Sequence, residues 1–220
     1  MKISTFIALL FIIVFILIFL LVYTGLSFNF DKNAFISIVS NRISFLNPLM
    51  KYASLYGREY IWIPVVLLYW IFGNKERKKI AFLLAISFIF IIIVGLSFKH
   101  FYFRERPFLV LQNISTLVPK PLDSSFPSGH ALIVVGGATL LILLERRKII
   151  WIPLLIEALI VSFSRIYVGV HWPTDVIAGA LLGSAISILV VNYLYNNRFT
   201  NKIFDFLLNS WNFVLEKLRI

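Results

Sequence analysis

The sequence of 220 residues contains no cysteine and few charged residues. Without cysteine the chain has neither disulfide bonds nor thiolate metal ligands, and its composition says nothing about redox compartment. Charged residues make up 14% of the chain and hydrophobic residues 60%, and the mean hydropathy is +0.91. A soluble domain has about a quarter of its residues charged. The composition therefore excludes a soluble domain and predicts an integral membrane protein.

Acidic residues are especially scarce, since 10 Asp and Glu stand against 21 Lys and Arg, for a formal net charge of +11. Such an excess could indicate nucleic-acid binding. Here, however, the basic residues concentrate in two short loops, Lys75–Lys79 and Glu145–Lys148. Cytoplasmic loops of membrane proteins carry this kind of excess. The charge pattern therefore predicts cytoplasmic N- and C-termini, and it argues against nucleic acid as a partner.

Six apolar runs are predicted to cross the cell membrane, where a helix needs about 20 residues to span the hydrocarbon core. The first run is longer than the apolar region of a secretory signal and lacks a small-residue cleavage site, so we interpret it as a retained span. The sequence thus predicts an all-α, polytopic membrane protein, with residues 1–220 forming a single domain around a six-transmembrane-helix bundle. The predicted spans are Thr5–Tyr23, Tyr56–Phe72, Ile80–Phe98, Ser128–Leu144, Ile149–Val168 and Thr174–Tyr195.

Two further stretches are predicted to form interfacial helices. Ala34–Tyr56 mixes apolar and polar residues and is interrupted at Pro48. In residues 199–219, polar side chains recur every three or four positions opposite an apolar face. This is the pattern of an amphipathic helix lying on a membrane surface. Packing of this tail against the bundle is an equally compatible alternative.

Polar residues cluster at the predicted outer ends of the third to sixth spans. Lys99, Arg106 and Arg165 provide three cations, and arginine and lysine are the residues that bind phosphate. Ser128 is a predicted N-cap of the fourth span, and Gly129 would let the backbone approach a ligand. Helix N-termini bind anions through free N–H groups. Together these residues predict a phosphate site that uses neither a metal ion nor a cofactor.

Two histidines suggest how such a site could be catalytic. His171 is followed four residues later by Asp175, and a carboxylate bound to one ring nitrogen leaves the other free as a nucleophile. His130 stands beside the predicted cations and could protonate the leaving oxygen as a general acid. This arrangement predicts a phosphohistidine intermediate, which water then hydrolyses with His130 acting as base.

Three motifs within residues 99–175 carry a family resemblance. They resemble the signature motifs of the type 2 phosphatidic acid phosphatase family, which vanadium haloperoxidases share. The resemblance implies a six-helix bundle and metal-independent dephosphorylation of a lipid phosphate or diphosphate. It also implies that His171 is the nucleophile, His130 the acid and base, and the basic residues the phosphate ligands. The motifs are Lys99-x6-Arg106-Pro107, Pro127-Ser128-Gly129-His130 and Ser164-Arg165-x5-His171-x3-Asp175.

The remaining polar residues in these segments receive structural interpretations. We interpret His100, Arg104 and Glu105, which fall between motif positions, as solvated loop residues. Glu157 lies in the middle of a predicted span, where a carboxylate is costly. For Glu157 we favour a structural hydrogen bond within the bundle over a catalytic role.

The leading functional hypothesis is a membrane phosphatase that hydrolyses an undecaprenyl- or dolichyl-type polyprenyl diphosphate to the monophosphate. An extracytoplasmic active site suits a carrier lipid whose glycan has been transferred beyond the membrane. Phosphatidic acid and phosphatidylglycerophosphate are alternative substrates. An anion transporter is disfavoured because no repeat is visible and the basic residues lie at span ends. Nothing in the sequence specifies an oligomeric state.

Overall fold

The computed structural model describes residues 3–218, so Lys2 and the last residue of the predicted segment 199–219 lie outside it. All regular structure in this part of the chain is helical, which confirms the all-α prediction. A turn of 3-10 helix, Ser44–Leu46, separates the second and third helices. The α-helices are α1 (Ile3–Tyr23), α2 (Phe28–Ser40), α3 (Asn47–Tyr56), α4 (Glu59–Phe72), α5 (Lys75–Phe101), α6 (Pro107–Val110), α7 (Gly129–Leu144), α8 (Lys148–Tyr167), α9 (Pro173–Leu194) and α10 (Arg198–Leu218).

The six predicted spans coincide with α1, α4, α5, α7, α8 and α9. Of these, α1, α5, α8 and α9 are long and apolar enough to cross a membrane. The helices α4 and α7 are apolar but have only 14 and 16 residues. At 1.5 Å per residue they extend about 21 and 24 Å, which is less than the bilayer core. The membrane class is therefore confirmed, whereas the count of six spans stays a prediction.

Close packing of α7 against α9 places two motif segments side by side. A Cβ atom on Gly179 would come within 2.6 Å of the Ser128 carbonyl oxygen, and one on Gly183 would collide with the Leu132 backbone. Glycine at both positions lets the two helix backbones touch. At the same end, the Ser128 N–H donates a hydrogen bond to the Asp175 carbonyl oxygen at 3.0 Å. The N-terminus of α7 is thus fixed beside the first turn of α9.

The predicted surface segment Ala34–Tyr56 folds as two helices over the end of the bundle that carries the motifs. The helical structure is interrupted between α2 and α3. Pro48 lies in the first turn of α3, where proline is favoured. Phe35 of α2 is buried against Ile166 and Trp172. These helices therefore contribute to the wall around the motif residues.

The helix α10 packs on the bundle along one side only. Phe204 is buried against the rings of Trp70 and Phe82, near the opposite end of the bundle from the motifs. Phe206 and Phe213 on the same helix remain exposed. The packing alternative thus holds for part of the helix, while contact of its exposed apolar residues with a membrane surface stays a prediction.

Candidate active site

The three motifs converge on one cavity of about 700 Å³ at one end of the bundle. Two of the predicted site residues, Ser128 and Asp175, are fully buried behind its wall. The other six reach its surface, so residues far apart in sequence share one space. These six are Lys99, Arg106, Gly129, His130, Arg165 and His171.

His171 lies in the loop between α8 and α9 and is 2% exposed. Its Nδ1 atom is 3.5 Å from Asp175 Oδ2, while its Nε2 atom is 3.3 Å from Arg106 Nη1. A carboxylate beside Nδ1 favours the tautomer with the proton on that nitrogen. The lone pair of Nε2 then faces the cationic part of the cavity. This is the orientation that a nucleophilic histidine requires.

Asp175 is held by three further donors. The Trp172 backbone N–H donates to Oδ2 at 2.8 Å, which closes the first turn of α9. Ser125 Oγ donates to the same oxygen at 2.5 Å and also lies 3.4 Å from His171 Nδ1. Arg104 Nη1 donates to Oδ1 at 2.5 Å. With these bonds the carboxylate has a fixed orientation toward the imidazole.

Arg104 is buried, so its interpretation as a solvated loop residue was wrong. Only 9% of it is exposed, because its guanidinium is enclosed between Asp175 and Asp31, to which Nη2 donates at 2.6 Å. Burial opposes the charge, but the two carboxylates outweigh it and raise the pKa of Arg104 above its ordinary value. His100 and Glu105 are exposed, as expected, although His100 lies in the last turn of α5 rather than in a loop.

Lys99 and Arg106 are bridged by a carboxylate that the motifs do not include. Lys99 Nζ donates to Asp123 Oδ2 at 2.6 Å, and Arg106 Nη2 donates to Asp123 Oδ1 at 2.7 Å. Partial burial opposes ionisation of Asp123, but the two cations outweigh it and lower its pKa to about 2. Asp123 is therefore ionised at neutral pH and neutralises part of the cationic site.

Arg165 supplies the third cation from the last turn of α8. Its Nη1 donates to the carbonyl oxygen of Ser54 at 2.9 Å and to Ser54 Oγ at 2.5 Å. Its Nε atom is buried and has no hydrogen-bond partner among the described residues. A buried charged donor without a partner is costly. Arg165 also lines the cavity, so its guanidinium adjoins the space in which an anion would bind.

The N-terminus of α7 brings Ser128, Gly129 and His130 to the site. Ser128 is the N-cap residue of α7, as predicted, but its side chain makes no capping hydrogen bond. Its Oγ atom is buried and has no hydrogen-bond partner within residues 3–218. Gly129 and His130 line the cavity at the start of the helix, where the helix dipole favours anions. These positions agree with phosphate binding by the backbone, which stays a prediction, as does the acid and base role of His130.

The electrostatics of the site favour neutral His171. Burial lowers its pKa well below the 6.5 of an ordinary histidine, and the charges of Arg106, Arg165 and Lys99 lower it further. A neutral imidazole is the form that can attack phosphorus. Among residues 3–218, no group of three or more metal-ligating side chains gathers at one point. The positive charge of the cavity comes from protein side chains.

Sequence reasoning missed Asp31, Ser125 and Asp123. Ser125 and Asp123 lie a few residues before the Pro127–His130 motif, so a requirement for hydrogen-bond partners near that motif could have suggested them. Asp31 lies far from every motif, and the sequence carries no signal for it. Glu157, by contrast, accepts the expected structural hydrogen bond, from Trp62 Nε1 at 3.1 Å.

Comparison with known proteins agrees with the geometry. Residues 78–199, more than half of the chain, match the family described as the PAP2 superfamily. The chain belongs to the PAP2 superfamily. This PAP2 protein is 52% identical over 162 residues to an undecaprenyl-diphosphatase from Sulfolobus acidocaldarius, and the match covers 74% of this chain and 77% of that protein. The family and the phosphatase class implied by the motifs are therefore confirmed.

Two solved structures have the same fold as this PAP2 protein. One is LpxE from Aquifex aeolicus, with a TM-score of 0.66, 27% identity and coverage of 74% of this chain and 96% of that chain. The other is a transmembrane PAP2-type phosphatidylglycerolphosphate phosphatase from Bacillus subtilis, with a TM-score of 0.71 and 23% identity. It covers 87% of this chain and 98% of its own. The fold extends over most of the chain in both comparisons.

Proposed function

We propose that this protein hydrolyses a polyprenyl diphosphate to the monophosphate, through a phosphohistidine formed on His171. The observation that carries the proposal is the shape of the cavity, which joins a cationic end to an apolar groove. The 52% identity to an undecaprenyl-diphosphatase supports the same substrate class. The lipid monophosphate and inorganic phosphate are the products.

The two ends of the cavity suit the two parts of a lipid diphosphate. Lys99, Arg106 and Arg165 surround the cationic end next to His171. The remainder of the cavity lies between α4 and α5 and is lined by apolar side chains, which favour a hydrocarbon chain. A lipid can therefore place its phosphates against the cations while its chain stays in the groove. The groove residues include Ile63, Val66, Phe88, Ile92 and Leu96.

In the first chemical step, His171 Nε2 attacks the terminal phosphorus. The P–O bond to the bridging oxygen breaks as the P–N bond forms, and the terminal phosphoryl group moves to His171. Its negative charge is stabilised by Lys99, Arg106 and Arg165, which are already oriented in the site. Asp175 stabilises the positive charge that develops on the imidazole. His130 donates its proton to the leaving lipid monophosphate.

In the second step, water hydrolyses the phosphohistidine. Neutral His130 accepts a proton from the water, whose oxygen attacks phosphorus and displaces His171 Nε2. Inorganic phosphate leaves, His171 returns to its neutral form and His130 is again protonated. The protons balance, because the one given to the leaving group is recovered from water.

The distribution of charge supports one orientation in the membrane. The basic loops Lys75–Lys79 and Glu145–Lys148 lie at the end of the bundle opposite the cavity. The positive-inside rule assigns that end to the cytoplasm. The active site is then extracytoplasmic, where a spent carrier lipid would present its diphosphate.

The proposed function is tested by offering the purified protein a panel of lipid phosphates and measuring released phosphate. We expect the highest kcat/KM with polyprenyl diphosphate and lower values with phosphatidic acid and phosphatidylglycerophosphate. His171→Ala should abolish both turnover and the phosphoenzyme, and Asp175→Asn should lower kcat by about 10³- to 10⁴-fold, by analogy with other carboxylate–histidine pairs. A preference for phosphatidic acid would refute the substrate, and full activity of His171→Ala would refute the nucleophile.

A further inference from the structure

One cation at the cavity has no part in the mechanism above. Arg58, the residue before α4, lines the same cavity as His130 and His171. Nε and Nη2 of its guanidinium donate to Glu59 Oε1. Nη1 makes no hydrogen bond within the described residues. This atom lies 3.7 Å from the point that a Cβ atom on Gly129 would occupy, so it faces the start of α7 beside His130.

Arg58 adjoins both parts of the cavity. It precedes α4, whose next turns supply Trp62 and Ile63 to the groove. It is also close enough to His130 and Arg165 for its charge to act on both. In the proposed mechanism, Arg165 helps to hold the phosphoryl group under attack. A substrate group beside Arg58 would therefore connect the terminal phosphate to the hydrocarbon chain. In a lipid diphosphate, that connecting group is the inner phosphate.

We propose that Arg58 binds the inner phosphate of a diphosphate substrate and makes the site favour diphosphates over monophosphates. This inference rests on the proposed function, because it takes the terminal phosphate to be the one attacked by His171. His130 donates its proton to the leaving group, so the inner phosphate must lie next to His130. Arg58 Nη1 is the donor that faces this position.

The chemistry of cleavage makes this contact more important for a diphosphate. When the bridging P–O bond breaks, negative charge moves onto the inner phosphate, and a nearby guanidinium stabilises it. A lipid monophosphate has carbon at this position and leaves as an alcohol, so it offers Arg58 no phosphate oxygen. Loss of a hydrogen bond between charged groups lowers a rate by about 10- to 100-fold. Loss of Arg58 should therefore lower the rate with the diphosphate and not with the monophosphate.

The test compares two substrates with the same chain, farnesyl diphosphate and farnesyl monophosphate, on the full-length protein in detergent. We expect Arg58→Gln to lower the ratio of kcat/KM for diphosphate over monophosphate by about 10- to 100-fold. Arg58→Lys keeps the charge without the planar fork and should lower the ratio less. The matched control is Lys51→Gln, an exposed cation of α3 that does not line the cavity and should leave the ratio at its wild-type value.

Equal losses on both substrates, or no loss on either, would overturn the inference. If Arg58→Gln does not fold, Arg58→Lys carries the test. A second measurement on Arg58→Lys compares inhibition by methylenediphosphonate with inhibition by orthophosphate. Inhibition by methylenediphosphonate should weaken, and inhibition by orthophosphate should not change. Failure of the proposed function is a different result, because a wild-type protein that hydrolyses no prenyl diphosphate would refute that function before any variant is compared. A wild-type enzyme active on farnesyl diphosphate, with an unchanged ratio in Arg58→Gln, would refute only the role of Arg58.

Discussion

Arg104 donates a hydrogen bond to Asp175 Oδ1 at 2.5 Å, while the other carboxylate oxygen, Oδ2, lies 3.5 Å from the His171 ring. Arg104 therefore contacts Asp175 of the proposed catalytic pair without lining the cavity. Its second amino group binds Asp31 of α2, so the orientation of Asp175 depends on a helix outside the motifs. This makes Arg104 a positioning residue that acts through Asp175.

We expect Arg104→Gln to reduce both stability and catalysis. The substitution leaves Asp31 and Asp175 as buried carboxylates without their cation, which costs about 3–5 kcal/mol in comparable cases. The substitution should also lower kcat more than it changes KM. The reason is that the displaced Asp175 carboxylate acts on His171 rather than on substrate binding. Thermal unfolding in detergent and steady-state kinetics measure the two effects. Arg104→Lys should recover part of both.

The control for this prediction is Arg42→Gln. Arg42 lies at the same end of the bundle, where its Nε donates to the Tyr167 carbonyl oxygen at 2.7 Å, and it has no contact with Asp175. Its substitution should lower stability and leave kcat near the wild-type value. If Arg104→Gln lowers the unfolding temperature but leaves kcat at the wild-type value, Arg104 has only a structural role.

The acidic limb of the pH–rate profile should lie below pH 6.5. Burial and three cations lower the pKa of His171 from that value, so His171 remains neutral in mild acid. The profile of kcat/KM reports the free enzyme, and its acidic limb should report protonation of His171. The Lys99→Gln substitution removes one of these cations and should move the acidic limb to higher pH. A wild-type limb above pH 6.5 would contradict the geometry around His171.

The same shift affects stability, because the unfolded chain binds a proton at His171 more readily than the folded protein does. The contribution of this group is largest above about pH 6.5 and declines as the pH falls below that value. The unfolding temperature of the wild-type protein should fall between pH 8 and pH 5. The fall should be smaller in His171→Gln.

Phosphatase activity should survive EDTA. In the proposed mechanism, Lys99, Arg106, Arg165 and the N-terminus of α7 provide the positive charge that stabilises the phosphoryl group. Activity is measured on the detergent-solubilised protein after dialysis against chelator and after readdition of Mg²⁺, Mn²⁺ or Ca²⁺. Loss of turnover that a divalent ion restores with several substrates would show that the side chains alone are insufficient.

The side of the membrane that carries the site can be read by cysteine labelling, since the native chain has no cysteine. Leu122 is 93% exposed in the loop before the Pro127–His130 motif, and Lys148 is exposed at the opposite end. Leu122→Cys should react with an impermeant thiol reagent in intact cells, whereas Lys148→Cys should react only after permeabilisation. The reverse pattern would place the active site in the cytoplasm.

The helices and the motif residues were predictable because their signals are local. Hydrophobic runs gave helices within a few residues of α5 and α9, and motif spacing identified His171 and its carboxylate. The partners of these residues were not predictable in the same way. Asp31 and Arg104 meet across a tertiary contact that no spacing encodes. The loop between α6 and α7 likewise brings Asp123 to Lys99 only after folding.

The missing side-chain cap at Ser128 has a similar origin. Serine before a helix usually caps it with its side chain, but here the Ser128 N–H is bonded to Asp175, and the Ser128 Oγ atom is buried with no partner among the described residues. Packing of α7 against α9 decides the conformation at this point. Tertiary packing here outweighs the preference of serine to cap a helix with its side chain.

The volume of the cavity limits what the enzyme can recognise in its substrate. At about 700 Å³ it has the size of a site for a drug-sized molecule. In the proposed binding mode, the two phosphates occupy the cationic end, and the groove between α4 and α5 has room for only the first few isoprene units. The rest of a long polyprenyl chain would then pass between these helices into the surrounding lipid. Turnover should therefore become insensitive to chain length after a few units, so that short water-soluble prenyl diphosphates report faithfully on the natural reaction.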